Sequence, residues 1–297
     1  MAAIRVSVVI CTRDRPDAVV RCLTALVEGF LKPDEIVLVD QGLADDVIPS
    51  RAIADAGIAL VHHRIAPAGT SRARNEGIML ATGSLIAFTD DDCVPQREWL
   101  EQLVRAAGTV GAAAGRVLPL DAHVKGLVPV SSRTSTRRIR FEPKLGAIPW
   151  DVGTGGNLIV HRRYLEAIGG FDELFGPGAR YPAAEDIDLI DRLLWSGCSF
   201  LYEPDAVVLH EMKSRRARVR SRYPYGRGMG AFIAADRQVP RSRPSLLSAY
   251  LTSQLATLRR GLLSLRVWQT IETACVLVGF VDGFVSYLVA RRRAATR

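Results

Sequence analysis

Three consecutive aspartates, Asp90, Asp91 and Asp92, lie at the end of an apolar segment, SLIAFTD, that is typical of a buried strand. Carboxylates this close raise one another's pKa unless a cation neutralises them. Hard oxygen ligands suit Mg²⁺ or Mn²⁺, which also bind diphosphate oxygens. The triplet therefore indicates a site for a divalent cation and a diphosphate. An aspartate-rich turn that caps the following helix is the alternative interpretation.

A second acidic group, Glu185, Asp186 and Asp188, begins an apolar segment with helical spacing. The positive end of a helix dipole stabilises carboxylates at this position and can hold them in place. One of them could then act as a general base. Ordinary acidic residues in the first turn of a helix are the alternative. His210, which ends a later apolar segment, is by itself typical of a surface histidine.

The elements that position these residues alternate along the first half of the chain, with helical stretches between short apolar runs. The predicted strands are Ile4–Cys11, Glu35–Asp40, Ile58–His62, Ser84–Asp90 and Ala112–Leu118. This order predicts an α/β fold with a mostly parallel sheet and helices on both faces. Ligands of such sheets bind at the carboxyl ends of the strands, where Thr12, Asp40 and the aspartate triplet lie.

The composition is that of a folded protein with an uneven charge. Of 297 residues, 48% are apolar and 24% are charged, and the net charge is +8. Residues 213–297 carry 17 basic residues against three acidic ones, whereas the rest of the chain has a balance of −6. The basic end predicts a partner with phosphate groups, whether a nucleotide, a lipid headgroup or a nucleic acid.

Cysteine usage and the first residues favour a reduced, cytoplasmic protein. The five cysteines are scattered and form no CxxC pair, which argues against a disulfide framework or a structural zinc site. The first apolar run is too short for a signal sequence and is better explained as a strand.

The basic end begins with KSRRARVRSRYPYGRGMG, which has six Lys or Arg among its first ten residues. A flexible lid that closes on a diphosphate, a solvated basic loop and a nucleic-acid contact are three interpretations of residues 213–227. Beyond this segment, leucines recur at helical spacing between Leu247 and Leu265. Residues 274–290 are mostly apolar but contain Asp282, and Arg291–Arg293 follow.

The apolar segment 274–290 is shorter than the about 20 residues that a membrane-spanning helix requires. A central aspartate also opposes insertion. We therefore predict an interfacial helical hairpin on an anionic membrane surface. A pair of capping helices in a soluble protein and a true span are the alternatives.

Six ordered segments between residues 4 and 230 resemble the family 2 glycosyltransferases, which have a GT-A fold. They are VSVVICTRDRP, EIVLVD, GTSRARNEGIMLATGSLIAFTDDD, GTGGNLIVHRRYLEAIGGFDE, AEDIDLIDRLLWSG and EPDAVVLHE. A single acidic motif is weakly specific, but six motifs in this order and spacing are strongly so. The segment VDQG departs from the family pattern, in which Asn or Asp more often follows the aspartate.

The resemblance implies a role for each matching residue. The nucleotide sugar would contact six residues: Thr12, Arg13, Asp40, Arg74, Asp90 and Asp91. Asp92 and His210 would ligate Mn²⁺ or Mg²⁺, and Asp186 would be the catalytic base, with Glu185 as the alternative. The acceptor side would include Gly155, Gly156 and Asn157.

The implied function is inverting, metal-assisted transfer of a sugar from a nucleotide diphosphate to a hydroxyl of a lipid-linked or polysaccharide glycan. The predicted organisation is a GT-A domain at residues 1–230 and a helical, membrane-associated extension at 231–297. The expected location is the inner face of the cell membrane, with no specific nucleic-acid partner. A nucleotidyltransferase is less favoured because CTRDRP is not its glycine- and lysine-rich loop. A non-catalytic basic adaptor leaves the acidic motifs unexplained.

Overall fold

The structure is a computed structural model that describes residues 4–43, 48–122, 124–130, 133–143, 146–236 and 245–295. Parts of both predicted domain ranges lie outside the described residues. The strands are β1 (Val6–Thr12), β2 (Glu35–Asp40), β3 (Ala59–Arg64), β4 (Leu85–Asp90), β5 (Cys93–Pro95), β6 (Gly111–Pro119), β7 (Leu127–Val128), β8 (Ile139–Phe141), β9 (Asn157–His161), β10 (Ser199–His210) and β11 (Lys213–Ser214). The helices are α1 (Pro16–Glu28), α2 (Ser50–Asp55), α3 (Thr70–Leu80), α4 (Trp99–Val110), α5 (Pro149–Val152), α6 (Arg162–Ile168), α7 (Glu185–Trp195), α8 (Arg215–Asp236), α9 (Leu246–Leu263) and α10 (Val267–Ala295).

Nine strands of the described chain form one sheet in the order β3-β2-β1-β4-β9-β6-β10-β5, with β8 paired to β10. Strands β1 to β4 are parallel, as are β6 and β10. Strand β9 lies antiparallel between β4 and β6, and β5 and β8 are antiparallel to β10. The predicted α/β class with a mostly parallel sheet is confirmed.

The parallel strands β1, β2 and β4 are buried on both faces, so their successive side chains enter two cores. Val8 and Ile10 of β1 lie in a core covered by α1 and α4. Val9 lies in the opposite core, which α3 and α7 cover. Alternation across the pleat explains this division, and burial of both faces explains why the strands read as continuous apolar runs.

The strand register brings the predicted site residues to one edge of the sheet. Thr12 at the end of β1 is paired with Asp40 at the end of β2. On the other side of β1, Cys11 is paired with Asp90 at the end of β4. The carboxyl ends of three parallel strands therefore meet at this edge, as the sequence predicts.

The basic segment after β11 is helical, which corrects its interpretation as a flexible lid or a solvated loop. Helix α8 runs through Pro224 and three glycines, which are weak helix formers. Two of these glycines face α10 so closely that an added Cβ at Gly226 or Gly230 would overlap a backbone carbonyl of α10, while Gly228 faces the backbone of Ala183. Gly279 and Gly283 of α10 face the backbone of α8 in the same way. Close backbone packing between the two helices therefore compensates for their low helix propensity.

Helices α8, α9 and α10 share a core with the acidic helix α7. This third core joins Phe175, Tyr181 and Ile187 to Phe232 of α8 and Phe280 of α10. The predicted domain boundary at residue 230 falls inside α8, and the two-domain division remains a prediction. Helices α9 and α10 follow one another and are in contact, and the interfacial hairpin on a membrane remains a prediction. Among the described residues, one helical segment, Val267–Ala294, is long and apolar enough to cross a membrane by length and composition.

We expect Gly230→Ala to lower the free energy of unfolding by about 1–3 kcal/mol, the usual cost of forcing a methyl group into a packed interface. The added Cβ would overlap the carbonyl of Phe280, and a backbone atom cannot move aside cheaply. Gly108→Ala in α4 is the matched control, because nothing lies within 4 Å of its added Cβ. The control should raise stability by about 0.5–1 kcal/mol. Equal unfolding free energies for both variants would contradict the close packing of α8 and α10.

Candidate functional site

A cavity of about 390 Å³ opens at the carboxyl edge of the sheet. Its lining contains eight of the predicted site residues: Thr12, Arg13, Arg74, Asp90, Asp91, Asp92, Glu185 and His210. An adjoining cavity of about 80 Å³ is lined by Asp90, Gly155, Gly156, Glu185, Asp186 and His210, among others. The two cavities share lining residues and form one candidate site. A larger cavity of about 700 Å³ beside α1 contains none of the predicted residues.

Four side chains from two distant parts of the chain could hold a metal ion. Ligand atoms of Asp90, Asp92, Cys93 and His210 all lie within 4.8 Å of one another. His210 joins the group because β10 pairs with β5, where His210 lies opposite Cys93. Its Nδ1 contacts the carbonyl of Glu211 at 2.8 Å, while Nε2 lies 3.6 Å from Asp92 Oδ1. Two carboxylates and an imidazole fit Mn²⁺ or Mg²⁺ better than they fit a soft cation.

The other Asp92 oxygen is engaged by Arg15, a residue that the sequence analysis missed. The Arg15 guanidinium donates to Asp92 Oδ2 at 2.9 Å and to Asp91 at 3.0 Å. Thr12 donates its hydroxyl to the other Asp91 oxygen at 2.8 Å. Burial raises the pKa of Asp91 to about 6, against the opposing effect of Arg15. Asp91 therefore anchors the end of β4 to β1, and Asp92 keeps Oδ1 directed toward His210.

Arg74 links the aspartate triplet to the acidic helix. Its guanidinium, which is 5% exposed, contacts Asp90 at 2.7 Å and Glu185 at 3.1 Å. Burial alone would lower the pKa of Arg74, but the Asp90 and Glu185 carboxylates raise it. The cation is thus fixed between two carboxylates that are 95 positions apart in the printed sequence.

The acidic pair Glu185–Asp186 begins α7 directly after Ala184, whose φ of 73° is in the left-handed region. Both Asp186 oxygens accept backbone N–H groups at 2.9 Å, Oδ2 from Gly155 and Oδ1 from Ile187. Burial raises the pKa of Glu185 to about 7, and the neighbouring Asp186 adds to the rise. Burial also raises the pKa of Asp186. The pair can therefore exchange a proton near neutral pH.

The glycine segment 153–156 lies close to the acidic side chains of the site, with Gly155 beside Asp186 and Gly156 beside Asp90. An added Cβ at Gly156 would lie 2.5 Å from Asp90 Oδ2, so the backbone must approach the carboxylate closely.

Asn157, by contrast, is fully buried and lines neither cavity. It accepts from the Trp99 indole at 2.8 Å and donates to the carbonyls of Arg116 and Ala206. These contacts engage both ends of its amide.

Asp40 also lies outside the cavity lining. Its buried carboxylate contacts His62 at 3.3 Å and Arg64 at 3.2 Å and accepts from the Gly42 N–H at 2.7 Å. The next residue, Gln41, lines the cavity instead. The side-chain amide oxygen of Gln41, Oε1, accepts hydrogen bonds from the backbone N–H groups of Ala68 and Gly69. The departure from the family pattern at VDQG therefore falls on a side chain of the cavity itself.

The Asp90–Asp92 segment is not a helix cap. Helix α4 begins at Trp99, and its N-cap residue Glu98 accepts no hydrogen bond through its side chain. The aspartates precede the short strand β5 and lie in the cavity. The alternative interpretation of the triplet as an aspartate-rich capping turn is wrong.

The chain belongs to glycosyl transferase family 2, whose family model matches residues 7–169. It is 29% identical over 251 residues to the pre-mycofactocin glycosyltransferase of Mycobacterium tuberculosis, a match that covers 82% of this chain and 50% of the relative. It is 23% identical over 242 residues to glycosyltransferase AglE of Haloferax volcanii, covering 78% of this chain and 75% of AglE. The chain thus spans about half the length of the mycobacterial relative.

Solved structures show the same fold at low sequence identity. The mannosyltransferase PcManGT of Pyrobaculum calidifontis, in complex with GDP-Man and Mn²⁺, superposes with a TM-score of 0.62 at 21% identity, over 99% of this chain and 81% of that one. S. aureus TarS 1-349 in complex with UDP gives a TM-score of 0.62 at 13% identity, over 98% and 92% of the two chains. These neighbours confirm the predicted GT-A class.

Proposed function

We propose that this chain transfers a sugar from a nucleoside diphosphate sugar to an acceptor hydroxyl, with inversion and with the assistance of Mn²⁺ or Mg²⁺. The observation that carries the proposal is the junction of two groups in adjoining cavities. The Asp90–Asp92–His210 cluster lines the cavity of about 390 Å³, Asp186 lines the cavity of about 80 Å³, and Asp90, Glu185 and His210 line both. Membership of glycosyl transferase family 2 supports the same activity.

The donor would lie in the cavity of about 390 Å³, whose charges are complementary to a diphosphate with its metal ion. Asp92 and His210 would hold the metal ion with Asp90. When bound, this ion would offset the negative charge that develops on the departing diphosphate. Arg13 and Lys213 line the same cavity and would add cations beside the phosphates. The names of two structural neighbours, which contain GDP-Man and UDP, support a nucleotide donor.

The nucleoside end would rest on the edge formed by Thr12 and Gln41. Thr12 is held by Asp91, and Gln41 is held by two backbone N–H groups. Asp40 does not line the cavity, and its carboxylate would instead hold His62 and Arg64 in position. In this proposal Asp91 and Asp40 shape the nucleotide cavity from buried positions.

Asp186 is the better placed of the two candidate bases. Glu185 is engaged in an ion pair with Arg74, whereas Asp186 contacts only backbone N–H groups among the described hydrogen-bond and ion-pair partners. Asp186 would accept the proton of the acceptor hydroxyl as its oxygen attacks the anomeric carbon opposite the leaving diphosphate. A single displacement of this kind inverts the configuration of the sugar. Gly155 and Gly156 would leave space for the acceptor beside the base.

Donor binding can be tested by thermal shift with a panel of nucleoside diphosphates, with and without Mn²⁺. A ligand that binds the native state raises the melting temperature. We expect one nucleotide to stabilise the chain in the presence of Mn²⁺ and to have little effect in EDTA. Equal shifts with and without the metal ion would contradict the metal-assisted part of the proposal.

We expect turnover to fall as the pH decreases through the raised pKa of the Glu185–Asp186 pair, because burial raises the pKa of both carboxyls. A base acts only when it is deprotonated, and the two buried carboxyls titrate as a pair. In Glu185→Gln the second negative charge is absent, so the remaining Asp186 should ionise more easily. The acid limb of kcat, measured from pH 5 to 9 at saturating donor, should then move to lower pH. A limb at the same pH in both proteins would exclude the carboxyl pair as its origin.

We also propose that the chain acts on the cytoplasmic face of a membrane, with a lipid-linked or polysaccharide glycan as acceptor. Val278, Val281, Val285 and Val289 of α10 are 62%, 60%, 52% and 43% exposed, respectively. Their spacing of three or four residues places them on one face of the helix, opposite the packed α8. Arg291–Arg293 follow this apolar stripe and would attract anionic headgroups.

The internal charge of α10 does not oppose membrane contact. Asp282 accepts from the Tyr223 hydroxyl at 2.8 Å and pairs with Arg227 of α8 at 2.9 Å. A paired aspartate costs less to bring near hydrocarbon than an isolated one. The hairpin can therefore lie on the membrane with this ion pair intact.

We expect Val281→Glu to lower the binding of the chain to phosphatidylglycerol vesicles at least about tenfold, because a carboxylate would replace an apolar group at the surface. Met79→Glu is the matched control, since Met79 of α3 is 69% exposed but lies far from the stripe in the sequence. Vesicle flotation in low and high salt would measure both effects, and high salt should release part of the wild type. Equal flotation of Val281→Glu and wild type would show that the stripe faces something other than lipid.

A further inference from the structure

A fourth cavity, of about 610 Å³, lies between α8, α9, α10 and the segment of β7. Three arginines of α8 line it, Arg215, Arg218 and Arg222, together with Tyr225 of the same helix. It shares no lining residue with the two cavities of the candidate donor and base site. The basic segment is therefore divided: Lys213 faces the donor cavity, and the arginines beyond it face a separate one.

The positive charges of the three arginines in this cavity are incompletely neutralised. Arg218 pairs with Glu272 of α10 at 2.8 Å, and Arg215 lies over the Trp268 ring at 5.6 Å. Within the part of the chain that the structure describes, Arg222 forms no ion pair. It reaches the Ser221 hydroxyl at 3.3 Å and the Tyr225 ring at 5.4 Å.

The guanidinium of Arg222 is also partly buried. Its Nε is buried and has no hydrogen-bond partner among the described atoms. Burial lowers the pKa of Arg222, and the neighbouring Arg218 cation adds to this effect. Burying a charge without a partner is costly, so an anion in the cavity would remove a penalty that the free protein carries.

The cavity lies next to the carboxyl pair. Tyr225 lines the cavity, and burial raises its pKa to about 12, with the charges of Asp186 and Glu185 contributing. Tyr225 also packs against the third core, which contains Ala184 and Ile187 on either side of the pair. The buried hydroxyl of Tyr250 has no hydrogen-bond partner in the described residues. A ligand in this cavity would thus end near the catalytic base.

We propose that this arginine cavity binds a phosphate group of the acceptor and so holds the acceptor hydroxyl toward Asp186. Guanidinium groups bind phosphate oxygens with paired, charge-assisted hydrogen bonds. The threonines and glutamines of the same lining, including Gln254, would donate further hydrogen bonds. The proposal rests on the proposed function, because it assigns the acceptor to this side of the base. The phosphate belongs either to a lipid carrier or to a soluble phosphorylated acceptor.

Isothermal titration of the full chain in EDTA with geranyl phosphate, geraniol and inorganic phosphate tests the inference. We expect the wild type to bind geranyl phosphate and Arg222→Gln to bind it about tenfold to a hundredfold more weakly, the range for loss of a hydrogen bond to a charged group. Arg222→Lys should be intermediate, because a point cation replaces a planar fork. Arg220→Gln is the matched control: Arg220 is an exposed arginine of the same helix outside the cavity lining, and its variant should bind as the wild type does.

The probes separate the two sources of phosphate. Tighter binding of geranyl phosphate than of inorganic phosphate supports a lipid carrier, and equal binding supports a soluble acceptor. Equal affinity of wild type and Arg222→Gln, or a wild type that binds neither phosphate, would overturn the inference. Geraniol binding as tight as that of geranyl phosphate would overturn it as well. Failure of the proposed function would appear separately, as absence of Mn²⁺-dependent nucleotide binding in the wild type.

Discussion

Asp186→Asn is expected to lower kcat by about 10²–10⁴-fold, the usual cost of removing a general base. The amide keeps the size of the side chain and can still accept the Gly155 N–H at Oδ, but it cannot take a proton. Donor binding should remain nearly unchanged, because Asp186 lines the small cavity and is not part of the donor cavity lining. Steady-state kinetics and calorimetry with the nucleotide would separate the two effects.

Glu185→Gln is the comparison that assigns the base. It removes one of the two carboxylate partners of Arg74 and should perturb both donor binding and turnover, because Glu185 lines both cavities. An inactive Glu185→Gln beside an active Asp186→Asn would assign the base to Glu185. Circular dichroism of both variants would show whether either change unfolds the chain.

The second large effect is expected for Asp92→Asn, which should weaken Mn²⁺-dependent nucleotide binding about tenfold or more. Replacement of groups that only support metal ligands already costs this much. Asp205→Asn is the matched control, because Asp205 is an exposed aspartate of β10, the strand that also carries His210. Calorimetry with Mn²⁺ and a nucleoside diphosphate would measure both variants. Unchanged affinity in a folded Asp92→Asn would remove Asp92 from the metal site.

The edge of the sheet could be predicted because local patterns determine it. Continuous apolar runs identify β1, β2 and β4, and polar residues mark their carboxyl ends. Parallel strands place those ends together, so Thr12 and the aspartates were expected at one edge before any contact was known. The position of His210 beside them followed only from the family resemblance, since pairing of β10 with β5 depends on long-range register.

The ion pairs inside the site could not be predicted from spacing. Arg15 contacts aspartates 76 and 77 positions away, and Arg74 contacts a glutamate 111 positions away. Asp40 was expected in the nucleotide cavity, but its strand-end position also brings it to His62 and Arg64, which enclose it. Sequence periodicity reports which face of an element is apolar, and it carries no information on which distant cation meets which carboxylate.

The helical conformation of α8 could not be predicted from the sequence for a related reason. This helix contains residues that favour turns, namely Pro224, Gly226, Gly228 and Gly230. Six basic residues lie just before them, at positions 213–222. Gly226 and Gly230 allow the close approach of α10, where Gly279 and Gly283 meet the backbone of α8, whereas Gly228 faces the backbone of Ala183. Packing against α10 therefore overrides the low local helix propensity, and the contacting residues, Gly226 with Val276 and Gly230 with Phe280, are 50 positions apart in the sequence.

The most direct test of metal-assisted, inverting transfer is to follow the first product of nucleotide-sugar turnover by proton NMR with Mg²⁺. The donors that stabilise the chain in the thermal-shift panel would be used, and those with an α-linked sugar are the informative ones. The account predicts that the β anomer of the sugar, or a β-linked product when an acceptor is supplied, forms first and only in the presence of the metal ion. Formation of the α anomer first, or equal turnover in EDTA, would contradict it.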